Sequence, residues 1–166
     1  MQEMVIYGVS FDLVGKQPIV LLKTADGNKF LPIWIGHPEA AAILMKLQGA
    51  TTPRPMTHDL VTDILTQLDA QVVRITVTEL RESTFYAQIT VQQDGSEVEI
   101  DSRPSDAIAL AIRAEAPIFA ADRVIEESAI EFEGEEVNEE EIVSEFKRFL
   151  DHVSPDEFAV EEEDES

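Results

Sequence analysis

The stretch Asp101-Ser-Arg-Pro-Ser-Asp-Ala-Ile-Ala-Leu-Ala-Ile-Arg113 decides how this chain is read, and Arg54-Pro-Met-Thr-His-Asp-Leu60 repeats its opening. Both place Arg-Pro ahead of Ser or Thr, then Asp, then apolar residues at helical spacing. Pro104 keeps Arg103 out of the α region, so the chain arrives extended. Ser105 is then the expected N-cap, with Asp106 where the helix dipole favours a negative charge. In the first copy Thr57 takes the capping role, and His58 and Asp59 fill the first turn. Each copy presents Arg and Asp beside free helix N–H groups, a junction that either holds an anion or satisfies itself by ion pairing.

Outward from these junctions the periodicity is legible. Residues 4–14 alternate as a strand, and 19–24 and 29–35 form a hairpin around Ala25-Asp-Gly-Asn28, which completes a three-stranded meander. A helix starts at Pro38 with Ala40, Ile43, Leu44 and Leu47 as its buried stripe, and Gly49 suits a left-handed C-terminus. The helix from Thr57 carries Leu60, Val61, Ile64, Leu65 and Leu68 on one face and reads as a core helix. Residues 71–80, 84–91 and 97–100 make a second meander, then the Ser105 helix, then a short strand at 117–121. The expected fold class is α+β, with antiparallel or mixed sheets from two strand meanders, three core helices and an acidic C-terminal helix.

Composition narrows the chemistry. The chain has 166 residues and a net charge of -22, with 34 acidic against 12 Lys and Arg. Residues 122–166 hold 19 of the acids and 3 of the bases, so the acidity belongs mainly to an extension. We place a domain at 1–127 and an extension at 128–166, with an amphipathic helix at 139–153 and a disordered acidic end. The helix docks on its own domain or on a protein partner. No apolar run approaches the roughly 20 residues of a membrane span, and the opening Met-Gln-Glu-Met is no signal peptide. A cytoplasmic location is expected. Without cysteine there is no disulfide, thiolate metal site or cysteine nucleophile. Any metal falls to oxygen ligands or to His37, His58 and His152, which favours a hard cation.

Four blocks in order carry a resemblance to a known family. They are Leu31-Pro-Ile-Trp-Ile-Gly36 followed by Glu39-Ala40, the Arg54 element, Thr84-Phe-Tyr-Ala87, and 101–110. Together they resemble the bifunctional nuclease domain family over roughly residues 4–127. The resemblance implies a compact α+β domain, homo-oligomers, and nuclease activity on DNA and RNA in some members. Glu82-Ser83 departs from the Asp-Gly common there, which changes a turn, and the acidic extension replaces the interaction motif that some relatives append.

Phosphodiester hydrolysis needs an activated water, stabilised phosphoryl oxygens and help for the leaving oxygen. Asp59, Asp101 and Asp106, with Glu39 as a fourth carboxylate, are the candidate ligands of a divalent cation, Mg²⁺ or Mn²⁺. The same three aspartates and His58, as acid or base, form the candidate catalytic set. Arg54 and Arg103 are candidate phosphate clamps, Ser105 is a further candidate for substrate binding, and Trp34 either stacks a base or belongs to the core. Against this stands a structural reading in which each Arg pairs with its neighbouring Asp. The acidic balance also supplies no basic stripe for nucleic acid, and the tail can cover the groove as a nucleic-acid mimic. Two functions therefore stay open, a weak, metal-assisted nuclease and a non-catalytic anion- or protein-binding scaffold.

Overall fold

A computed structural model describes residues 1–11 and 17–131. Eight strands and four helices follow in the order β1 (Gln2–Phe11), β2 (Pro18–Thr24), β3 (Lys29–Trp34), α1 (His37–Leu47), α2 (Thr57–Gln67), β4 (Ala70–Arg81), β5 (Thr84–Gln93), β6 (Ser96–Ser102), α3 (Pro104–Ala114), β7 (Ile118–Ala120), α4 (Asp122–Ser128) and β8 (Ile130–Glu131). The fold is α+β. The helix expected at 139–153 lies outside the described residues.

Both meanders form, and they belong to one sheet. Its strand order is β6-β5-β4-β7-β1-β2-β3-β8. β7 joins the halves, running antiparallel to β1 at Gln2 to Met4 and parallel to β4 at Ile75 to Val77. Side-chain alternation sets the faces. Ile75, Val77, Ala87, Ile89 and Val91 are buried and pack with α3, whereas Arg74, Thr76, Thr78 and Gln88 point to the opposite, more open face. β2 and β3 are covered on both sides and are almost continuously buried.

α3 is the central helix. Its residues from Pro104 to Ala111 are buried apart from Asp106, and it packs on α1, α2, β4 and β5. α2 departs from its expected role as a core helix. None of its residues is fully buried, and Leu60, Ile64 and Leu68 are about half exposed. Helical spacing identifies an apolar stripe but not what covers it. Only Val61 and Leu65 reach the core cluster, while the rest of the stripe faces outward. Leu47 of α1 is likewise exposed. α4 and β8 lie beyond the elements expected from the sequence, and Val124 and Ile125 of α4 are buried.

The β4–β5 turn keeps the geometry of an Asp-Gly turn without its residues. Glu82 and Ser83 have φ of 49° and 63°, and the equivalent β5–β6 pair Asp94 and Gly95 have φ of 50° and 77°. Both turns thus use left-handed pairs that suit the twist of a hairpin. The Glu-Ser departure therefore changes the cost of the turn and leaves its shape intact. A non-glycine left-handed residue costs about 1 kcal/mol or more. Ser83→Gly is expected to raise unfolding stability by roughly 1 kcal/mol, after the extra chain entropy of glycine is set against the relieved strain. Urea denaturation at constant m-value reads this directly.

Candidate functional site

Three helix beginnings meet in one cleft of about 550 Å³, lined by Pro38 and Glu39 of α1, Met56 to His58 of α2, and Arg103 and Asp106 of α3. Each helix arrives there for a local reason. Pro38 and Pro104 sit in the first turns of α1 and α3, where a missing N–H costs nothing. The N-caps fall earlier than expected. Arg103 caps α3 through its extended backbone, and Ser105 is buried within the first turn. Met56 caps α2, and Asp59 reaches back so that its Oδ2 accepts the Met56 N–H at 3.0 Å. In α3 the proline at the first helical position leaves Arg103 as the cap, and in α2 the Asp59 carboxylate serves the cap amide, so neither the Ser105 nor the Thr57 hydroxyl is required.

Around the cleft runs a chain of charge-assisted hydrogen bonds. Arg103 donates from Nε and Nη2 to Asp106 Oδ2 at 3.0 and 2.8 Å, and from Nη2 to Glu39 Oε1 at 2.7 Å. Asp106 Oδ1 lies 2.8 Å from His58 Nε2. An ionised carboxylate only accepts, so His58 donates from Nε2 and its Nδ1 remains available as an acceptor. Glu39 is only 13% exposed and Arg103 64%. Glu39 and then Asp106 hold the Arg103 guanidinium even more firmly protonated than usual. The Glu39 carboxylate curls back so closely over Gly36 that any Cβ there meets Oε2, which makes glycine a requirement of its placement.

Asp59 belongs to a second junction. The Arg113 side chain is 6% exposed and donates from Nε to Asp59 Oδ1 at 2.7 Å. It also donates from Nη1 to Ala109 O at 2.9 Å and from Nη2 to Ala42 O at 3.0 Å. One guanidinium therefore ties α1, α2 and α3 together. In the sequence alone Arg113 has no evident role, because a basic residue in the last turn of a helix looks like a dipole complement.

The other expected residues are dispersed. Asp101 is exposed on β6 opposite Gln88, and alternation puts it on the sheet face away from the helices. Trp34 is partly buried in β3 opposite Ile19 and does not line the cleft. Arg54 is exposed in the α1–α2 loop. Of the expected site residues, His58, Asp106, Glu39 and Arg103 come together. Among the described residues, no three His, Asp or Glu side chains converge as metal ligands. No described helix is long and apolar enough to cross a membrane.

Residues 20–133 match the bifunctional nuclease domain family. An uncharacterized protein of Mycobacterium tuberculosis is 37% identical over 95% of this chain and 98% of its own length. Bifunctional nuclease 1 of Oryza sativa is 28% identical over 63% of this chain, and the match takes 33% of the rice protein. Bifunctional nuclease 1 of Arabidopsis thaliana is 28% identical over 61% of this chain and 32% of its own.

The Arg113 junction has two measurable consequences. Arg113→Met is expected to cost about 2 to 3 kcal/mol in urea denaturation, less than a fully buried pair because Asp59 is 38% exposed. Arg113 and the Met56 amide also hold the Asp59 carboxyl below its ordinary value of 3.8. That stabilisation is present above pH 3.8 and is lost as the pH falls through the lower folded value. Asp59→Asn is therefore expected to flatten the acid limb of the stability curve below pH 3.8, followed by circular dichroism.

Proposed function

Because the chain belongs to the bifunctional nuclease domain family, we propose that it hydrolyses phosphodiester bonds of single-stranded RNA and DNA in the cleft between the three helix starts. The observation that supports this reading is the convergence of His58, Asp106, Arg103 and Glu39, each from the first turn or cap of its helix, on that cleft.

DNA lacks a 2′-hydroxyl, so a mechanism shared by both nucleic acids takes its nucleophile from outside the substrate, and water fills that role in this reading. His58 accepts the proton of that water at Nδ1, and Asp106 stabilises the imidazolium through Nε2. The Nη1 group of Arg103, which has no partner among the described residues, binds a phosphoryl oxygen while Glu39 and Asp106 fix the guanidinium plane. His58 then returns its proton to the leaving oxygen. Asp101 and Trp34 stay outside this scheme, and Asp59 acts through Arg113 on the packing of the helices.

A divalent cation, Mg²⁺ or Mn²⁺, would be held jointly by the substrate phosphate and by carboxylates of the cleft. Mg²⁺ usually keeps several waters and binds one or two carboxylates together with phosphate oxygens. Glu39 and Asp106 are the two carboxylates suited to that, and the cation would supply further charge neutralisation on the phosphate. The scaffold alternative draws on the same geometry, since Glu39 and Asp106 already neutralise Arg103. A homo-oligomer completes the reading, with the uncovered Leu60, Ile64 and Leu68 stripe of α2 supporting a second copy as its occupant.

His58→Ala and Asp106→Ala are each expected to lower kcat on labelled single-stranded RNA and DNA by about 10² or more. Highly purified, folded protein is assayed with Mg²⁺, Mn²⁺ or chelator. Equal cleavage by wild type and both variants would remove the cleft from the chemistry and favour the scaffold. For assembly, Ile64→Glu is expected to shift the mass measured by light scattering towards the monomer while circular dichroism stays native.

A further inference from the structure

Beside the His58 cleft lies a second cleft of about 370 Å³, and the two share Met45, Met56 and Arg113 as a common wall. Lys46, Arg54 and Arg113 line the second cleft against a single carboxylate, Asp59. Three cations facing one anion is an unusual balance in a chain with a net charge of -22. Among the described arginines, Arg74, Arg81, Arg103, Arg113 and Arg123 each meet a carboxylate. Arg54 meets none among the described residues.

The backbone around Arg54 is stiff. Pro53 and Pro55 flank it, one fixing its own φ and the other keeping Arg54 extended. Thr52 Oγ1 donates to Arg54 O at 2.6 Å. A long cationic side chain is thus displayed from a restrained loop, which lowers the ordering cost of binding. Lys46, in the last turn of α1, faces the same cleft and lies close enough to Asp59 to act on its charge.

We infer that Lys46 and Arg54 form a second phosphate subsite, which holds the backbone phosphate next to the scissile one in a single-stranded oligonucleotide. The inference rests on the hydrolase reading for which phosphate is scissile, and on the shared wall for the direction in which the strand leaves. Each cleft has the volume of a small-ligand site, suited to one nucleotide. A duplex instead needs a broad basic face, which this acidic chain does not offer. The substrate is then a strand with at least two consecutive phosphates, and an isolated diester occupies half of the binding surface.

The test is binding rather than cleavage. Fluorescence anisotropy of a labelled eight-nucleotide single-stranded DNA is measured in chelator across a salt series, using the full chain. The Lys46→Ala, Arg54→Ala double variant is compared with wild type and with Arg74→Ala, a control from the opposite sheet face. Exposed substitutions of this kind leave stability within about 0.5 kcal/mol. The double variant is expected to bind about tenfold more weakly at low salt, with a log–log salt slope less steep by roughly 0.7 to 1.4. Wild-type affinity and slope in the double variant, an equal loss in Arg74→Ala, or no measurable binding by wild type would each overturn the subsite. Hydrolysis plays no part in this assay. Binding that depends on Lys46 and Arg54 without any cleavage would sink the hydrolase reading alone, and cleavage with binding indifferent to both residues would sink the subsite alone.

Discussion

The Arg113 guanidinium holds three helices with three hydrogen bonds in three directions, and the geometry of the cleft follows from it. Its acceptors are a carboxylate on α2, a carbonyl on α1 and a carbonyl of its own helix. A lysine ammonium lacks the planar fork that fixes these directions. α2 needs such a tether, because only part of its apolar stripe reaches the core. Were α2 to slide along α3, His58 would leave Asp106, since each is borne by one of the two helices.

Arg103 plays a different part although it also pairs with carboxylates. It is largely exposed at the cleft mouth, and its two acidic partners come from α1 and from its own first turn. Packing energy from such a pair is small, but its orientation is fixed. The repeated Arg-Pro elements of the sequence are therefore unequal in space. The arginine of one copy is locked into a network, and that of the other meets no carboxylate among the described residues and lines a neighbouring cleft.

The two meanders, the hairpin turns and the three helix starts were legible in the sequence, because alternation, turn residues and proline act locally. The family resemblance also carried through to the matched domain. What local pattern cannot reveal is which surfaces meet. Leu60, Ile64 and Leu68 have core spacing and yet lie open. Asp101 is two residues from Arg103 in sequence, but strand alternation turns it to the other face of the sheet. Asp59 and Asp106 occupy matching positions in their helices and serve different clefts, since Arg113 comes from another element altogether. The union of the two meanders through β7 was equally out of reach, because a three-residue strand has too little pattern to name its partners.

β7 also sets the order in which the chain can assemble. As the ribosome delivers the protein, β1, β2 and β3 emerge first and can pair at once, yet one side of β1 waits for residues 118–120. β4 waits for the same three residues on its own free side. Such distant pairings are slow, because loop-closure entropy is spent before they reward it. During synthesis the nascent chain therefore carries two unsealed strand edges, each open to pairing with a neighbouring nascent chain. The last strand to seal them is among the shortest in the sheet, so a chain cut just before Ile118 would keep both half-sheets and leave the edges of β1 and β4 open to aggregation.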